Sequence, residues 1–209
     1  MKRDGKISNA VIRRLPRYLR ALDELKNKGF ERISSKDLSE EIGYTASQIR
    51  QDLNHFGGFG QQGYGYNIDD LHGEIEKILG LDRKYRLVIV GCGKLGCAIA
   101  NFNYTYNKNF ETIGLFDINP AIIDNDLNGI TVLSVEELPR FLKENAVDIG
   151  VICVTKESAQ EIAEVMTEGN VSGIWNFAPW DLLSTTEIPV ENVHLSDGLQ
   201  TLTYYLNHK

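Results

Sequence analysis

The spacing of apolar positions changes rhythm once along the chain. Up to about residue 80 they recur every three or four residues, the period of helices with one buried face. Ile12, Leu15, Leu19, Leu22 and Leu25 predict a helix that begins after Ser8, an N-cap residue, and stops at Gly29; Pro16 predicts a kink or a later start. Ser34-Ser35-Lys36-Asp37 reads as the capped start of a second, short helix with Leu38 and Ile42, closed by Gly43. Thr45 caps a third, from Ala46 to about Phe56. The stretch 56–66, glycines interleaved with aromatics, has the composition of a tight hairpin, and Leu71, Ile75 and Ile78 predict a fourth helix over 69–79.

Past residue 84 the rhythm is that of buried strands alternating with helices. Tyr85-Arg86-Leu87-Val88-Ile89-Val90 is a strand run, and further strands are expected at Thr112–Phe116, Ile130–Leu133, Ile149–Val154 and Gly173–Phe177. Helices are expected after the first strand, at 135–145 and at 157–168. Such alternation implies a parallel sheet covered on both faces. The tail, from Ser196 as cap, aligns Leu199, Leu202 and Leu206 on one more helix, which needs a groove of its own or of a partner. The expected organisation is residues 1–80, residues 85–195 and a terminal helix over 196–209.

Charge sharpens the division. The 209 residues carry 22 Lys/Arg and 29 Asp/Glu, a net −7 that argues against a nucleic-acid partner for the chain taken whole. Residues 1–60 nevertheless hold 12 basic and 8 acidic side chains, and residues 61–209 hold 10 and 21. A basic amino-terminal part facing phosphate beside an acidic part that does not is the implied arrangement. No apolar run approaches the roughly 18 residues of a membrane span, and the polar N-terminus is unlike a signal sequence, so a cytoplasmic protein is expected. Cys92, Cys97 and Cys153 match neither a zinc nor a disulfide spacing and read as small apolar fillers; a redox pair of Cys92 and Cys97 is the alternative. His55, His72 and His208 have no metal-ligand spacing, and no metal is expected.

Two segments carry candidate chemistry. The three short helices make a helix-turn-helix pattern whose last member offers Gln48, Arg50, Gln51 and Asn54 to a DNA groove, and the hairpin after it would be the wing of a winged helix. The second is Gly91-Cys92-Gly93-Lys94-Leu95-Gly96, between a strand and a helix. There Gly91 allows a tight turn, Gly93 lets a diphosphate approach the backbone, and Gly96 permits close packing of helix on strand. Asp117, 21 residues beyond Gly96 at the end of the second strand, can accept both hydroxyls of a ribose and would repel a 2′-phosphate, which favours NADH and NAD⁺ over their phosphorylated forms. Asn176-Phe177-Ala178-Pro179 lies at the carboxyl edge of the expected sheet, where ligands of such folds sit. A small NAD-dependent oxidoreductase would carry the same loop; about 30 residues after Phe177 are too few for a substrate domain. A nucleotide-gated scaffold that binds protein is the third possibility.

Taken in order, Arg14-Leu15-Pro16-Arg17-Tyr18-Leu19-Arg20, Ile33 to Leu38, Gln48-Ile49-Arg50-Gln51-Asp52-Leu53, Gly63-Tyr64-Gly65-Tyr66-Asn67, the glycine loop, Asn176 to Pro179 and Leu199-Gln200-Thr201-Leu202 resemble the Rex family of redox-sensing transcriptional repressors over nearly the full length. The resemblance implies a winged-helix domain joined to a Rossmann domain, a homodimer with the C-terminal helix swapped onto the partner, and a palindromic operator released by NADH and tolerant of NAD⁺. It implies DNA contacts from Arg13, Arg14, Ser34, Ser35, Ser47, Gln48, Arg50, Gln51, Gln61 and Gln62. It implies cofactor contacts from the glycine loop (Gly91, Cys92, Gly93, Lys94, Leu95, Gly96), Asp117, Phe102, Phe177, Ala178 and Pro179, with Arg20 and the residue at His194 as a switch. The chain departs from the family where Gln51 replaces a basic guanine reader, which implies an A·T pair in the half-site, a discrimination of roughly 1–3 kcal/mol. Gln61 and Gln62 replace basic wing residues, implying a shallower salt dependence of binding. Phe102 and His194 stand where the family has Tyr and Asp, which implies a switch held differently and sensitive to pH.

Overall fold

A computed structural model describes residues 7–56, 60–61, 64–182 and 188–208. The chain divides into two compact units, Met1–Arg83 and Lys84–Lys209.

In the first unit α1 (Asn9–Asn27), α2 (Ser35–Ile42), α3 (Ala46–Asn54) and α4 (Ile68–Leu79) surround one core. Each start is capped as the chemistry of the cap residue demands: Ser8 Oγ accepts from the Val11 N–H, Ser34 Oγ from Asp37, Thr45 Oγ1 from Gln48 and Asn67 Oδ1 from Asp70. Gly43 and Gly80 close α2 and α4 in the left-handed conformation. Pro16 neither ends nor delays α1; it lies on the exposed side, where water can take up the Ile12 carbonyl that its ring leaves unpaired. Leu15, Tyr18 and Leu22 of α1, Leu38, Ile49, Leu53, Leu71 and Ile75 are fully buried together. Three short antiparallel strands, β1 (Arg32–Ile33), β2 (Gly60–Gln61) and β3 (Gly65–Asn67), form a sheet in the order β1-β3-β2. Helix-turn-helix plus β-hairpin is the winged-helix arrangement.

The second unit is a seven-stranded sheet. Its strands are β4 (Tyr85–Val90), β5 (Phe110–Asp117), β6 (Asp126–Leu127), β7 (Ile130–Ser134), β8 (Ile149–Ile152), β9 (Gly173–Asn176) and β10 (Val190–Asn192). The order is β10-β9-β8-β4-β5-β7-β6, parallel except for β6, which turns back along β7. Helices α5 (Lys94–Tyr106), α6 (Leu138–Glu144), preceded by a 3₁₀ turn, and α7 (Lys156–Glu168) connect them. The run Leu87-Val88-Ile89-Val90 has no polar alternation because both faces are covered: Leu87 and Ile89 pack toward Ile99 and Ala100 of α5, Val88 and Val90 toward Leu138, Leu142, Ile162 and Met166. This is the doubly wound Rossmann order, with its reversal between β4 and β8.

Two edges differ from expectation. The sequence reading had no β6 or β10, which have two and three residues and lean on their neighbours for every ladder bond. The last helix, α8 (Leu195–Asn207), is flanked by His194 rather than capped by Ser196, which lies within its first turn; no side chain caps it.

Candidate functional site

The reversal of strand order opens a cleft of about 1000 Å³ at the carboxyl ends of β4, β5 and β8, walled by Gly91, Gly93, Asp117, Ile118, Cys153 and Pro179 among others. Gly91 has φ +96°, and a Cβ there would strike the Cys153 carbonyl of the neighbouring strand. At Gly96 a Cβ would run into the Gly91 carbonyl, so α5 packs against the turn only through glycine. At Gly93, by contrast, a Cβ would find nothing within 4 Å, and the open space faces the first turn of α5, which has no side-chain cap. The uncapped N–H groups and the helix dipole favour an anion there.

Asp117 is 9% exposed at the end of β5. One carboxylate oxygen accepts from the Cys92 N–H at 2.7 Å and the other from the Asn119 N–H at 2.8 Å. Each keeps a lone pair, which is what a vicinal diol needs. The residues present therefore fit an adenosine diphosphate: donors for the anion, an acceptor pair for the ribose, and Ile118, Ile122 and Val135 as apolar wall.

Burial, followed by the nearby Cys97 thiol and Asp117 carboxylate, pushes the Cys92 thiol up to about 12; burial alone does the same for Cys153. Cys97 Sγ donates to the Cys92 carbonyl, and all three cysteines are free thiols. The filler reading accounts for them, and Cys92 and Cys97 form no disulfide.

Other expected cofactor residues stand in varied surroundings. Lys94 is exposed at the start of α5, Leu95 packs into the core beneath it, and Ala178 is buried. Phe177 packs edge-on against Trp175, with centroids 4.6 Å apart. Phe102 does not wall the cleft: it is half-exposed on α5 against Tyr106. The Asn176 side chain, read only as part of a motif, braces the loop after β9 by donating to the Trp180 carbonyl and to Asn192 Oδ1, both at 2.8 Å, and accepting from the Ala178 N–H. His194 Nε2 lies 2.7 Å from Asp181 Oδ1, a pairing missed in the sequence. That hydrogen bond, outweighing desolvation, raises the imidazole above its usual value. Asp181 thus gives His194 itself an anionic partner, and Arg20 lies exposed on α1 of the other unit.

In the first unit Ser47, Arg50, Gln51 and Asn54 are exposed on α3, with Arg50 Nη1 donating to Ser35 Oγ at 2.8 Å. Ser34 is occupied in its cap, exchanging bonds with Asp37. Arg13 is exposed on α1. Arg14 and Gln48, both expected at DNA, have donors committed inside the domain: each bonds to Asp52. The reason is Asp52 itself, whose buried charge must be matched by donors. Gln61 stands on β2, and Gln62 lies outside the described residues.

Comparison with known proteins follows the same division. Residues 6–54 match a family described as putative DNA-binding protein N-terminus, and residues 82–180 match a CoA binding domain. The redox-sensing transcriptional repressor Rex of Clostridium novyi (strain NT) is 52% identical over 207 residues, covering 99% of both chains. The Rex repressor of Caldicellulosiruptor saccharolyticus is 51% identical over 203 residues, 97% of this chain and 93% of that one. Among solved structures, RSP in complex with β-NAD⁺ and operator DNA superposes with a TM-score of 0.90 at 49% identity, covering 98% of this chain and 94% of that one. RSP in complex with β-NADH gives 0.89 at 46% identity, covering 98% and 96%.

Proposed function

The chain belongs to the Rex family of redox-sensing transcriptional repressors, and from that premise we propose that it is a homodimeric repressor that holds a palindromic operator in the presence of NAD⁺ and lets it go on binding NADH. The observation that carries this reading is the pairing, in one chain, of an exposed recognition face on α3 with a dinucleotide cleft whose approach at Gly93 is open. The diphosphate would sit on the first turn of α5, its charge met by backbone N–H groups. The Asp117 carboxylate, already fixed by two backbone donors, would accept the ribose hydroxyls and turn away a 2′-phosphate. Bound nicotinamide supplies the redox state being read; the protein holds the molecule and performs no turnover on it.

Residues 1–80 would carry DNA binding, 85–195 the dinucleotide and 196–209 the partner-seeking arm. Along α8, Leu195, Leu199, Leu202, Tyr205 and Leu206 are each more than half exposed, a face suited to a second copy of the chain. Such a repressor works in the cytoplasm, and no helix among the described residues is long and apolar enough to cross a membrane. Arg20 in the first unit and His194 in the second would each take part in switching between the two ligands, and Phe102 would contribute to holding the dinucleotide.

A gel shift on a palindromic A·T-rich duplex tests the reading. NADH should abolish the shift at concentrations where NAD⁺ leaves it intact, and NADPH should act only at far higher concentration. A small oxidoreductase would show no shift at all, and a shift indifferent to NADH would overturn the sensing role. In the same assay, exchanging the pair read by Gln51 from A·T to G·C should weaken binding by roughly 1–3 kcal/mol.

A further inference from the structure

Asp52 has no exposed surface, and its carboxylate is where side chains of two helices meet. Arg14 Nε donates to one oxygen at 2.6 Å and Arg14 Nη2 to the other at 2.8 Å. The Tyr18 hydroxyl, also fully buried, donates at 2.5 Å and Gln48 Nε2 at 2.8 Å. A carboxylate accepts about four hydrogen bonds, so its capacity is filled. Positions 14 and 18 are one turn apart on α1, and 48 and 52 are one turn apart on α3, so each helix presents one face to the other. The planar Arg fork restrains direction as well as distance, and the hydroxyl a turn further along gives a second anchor. Together they fix how far α3 is rotated about its own axis.

That rotation decides what DNA would meet. At 100° per residue, Ser47, Arg50 and Asn54 lie on the far side of α3 from Asp52 and Gln51 on its flank, all of them exposed. A turn of about 10° at roughly 6 Å from the axis moves a side-chain tip by about 1 Å, enough to spoil a bidentate base contact. The same fork keeps Arg14 away from phosphate.

Resting on the repressor reading, we propose that Asp52 is the positioning residue of DNA recognition: without touching DNA it sets the angle of the reading face and withholds Arg14 from the backbone. Specificity is its product, and non-specific affinity is not.

The test uses the full-length chain and two duplexes, the palindromic A·T-rich operator of the gel shift and a scramble of the same composition. Asp52→Asn should lower operator affinity tenfold or more, while affinity for the scramble holds or rises and its salt dependence steepens by about one released cation per chain as Arg14 becomes available. Tyr18→Phe, which removes one donor and little volume, should lower the operator-to-scramble ratio by a smaller factor. Because the first unit has its own core, its fold is checked directly, by the far-ultraviolet circular dichroism and thermal melt of each variant against the unmutated chain, and if Asp52→Asn does not fold, Tyr18→Phe decides. An unchanged ratio in the folded variants overturns the proposal, as does an Arg14→Ala variant whose salt dependence becomes shallower, since that places Arg14 on phosphate. If the unmutated chain shows no preference for the operator, it is the repressor reading that fails.

Discussion

A methyl group added at Gly93 would meet nothing within 4 Å, whereas at Gly96 it would collide with the Gly91 carbonyl. The two glycines are indistinguishable in composition and opposite in consequence. Gly93→Ala, at φ −70° where alanine is comfortable, should leave the melting temperature within a degree or two yet lower NADH affinity tenfold or more, because the methyl occupies the diphosphate's approach. Gly96→Ala should cost about 1–3 kcal/mol of stability by overpacking helix on turn. Thermal melts beside NADH titrations separate the cases. The sequence already pointed Gly93 to the ligand and Gly96 to the packing of helix on strand; what it did not show is that the group a methyl at Gly96 would strike is the Gly91 carbonyl. Asp52 was hidden for a related reason. Its donors Arg14 and Tyr18 are 38 and 34 residues away, so a pattern read along the chain saw only a charged residue on a short helix, and took Arg14 and Gln48 for free hands.

Caps and buried runs made most elements readable. Ser8, Ser34 and Thr45 start the helices they were expected to start, and the strand over Tyr85–Val90 has its expected bounds. Where propensity is weak and pairing decides, reading failed: Asp126–Leu127 and Val190–Asn192 are strands only because β7 and β9 present free edges. The head of α8 is another such place. His194, not Ser196, flanks it, and a protonated imidazole beside the positive end of a helix is unfavourable unless an anion attends it. Asp181 is that anion, and Asp197 in the first turn adds to it. Because the imidazole is raised above 6.5, the charged pair is complete below that pH and is lost as pH rises through the raised value. NADH titrations of DNA release at about pH 6 and about pH 8 should therefore give displaced curves, and His194→Gln should bring them together. Curves that coincide in the unmutated chain would remove the pH dependence.

Across the whole molecule, the basic excess legible in residues 1–60 lies within the unit that holds the helix-turn-helix, but over the whole of Met1–Arg83 it falls to 14 basic against 13 acidic side chains, while Lys84–Lys209 holds 8 and 16. The acidic second unit carries Asp117, Glu136, Glu157 and Glu161 around its cleft against Lys156, so a dinucleotide held there would draw on the oriented backbone donors of the glycine loop as well as on counter-charge. What the sequence left open was whether the glycine loop served turnover or sensing, since both use it; the full-length likeness to Rex repressors places the chain among regulators. The leucine and tyrosine face of α8 then bears on gene dosage. If a second copy covers that apolar side, as proposed, the regulator's competence is tied to how many copies a cell makes. Below the concentration at which pairs form, the chains would be both blind to their operators and prone to stick elsewhere, so such a repressor has a minimum abundance written into its last dozen residues.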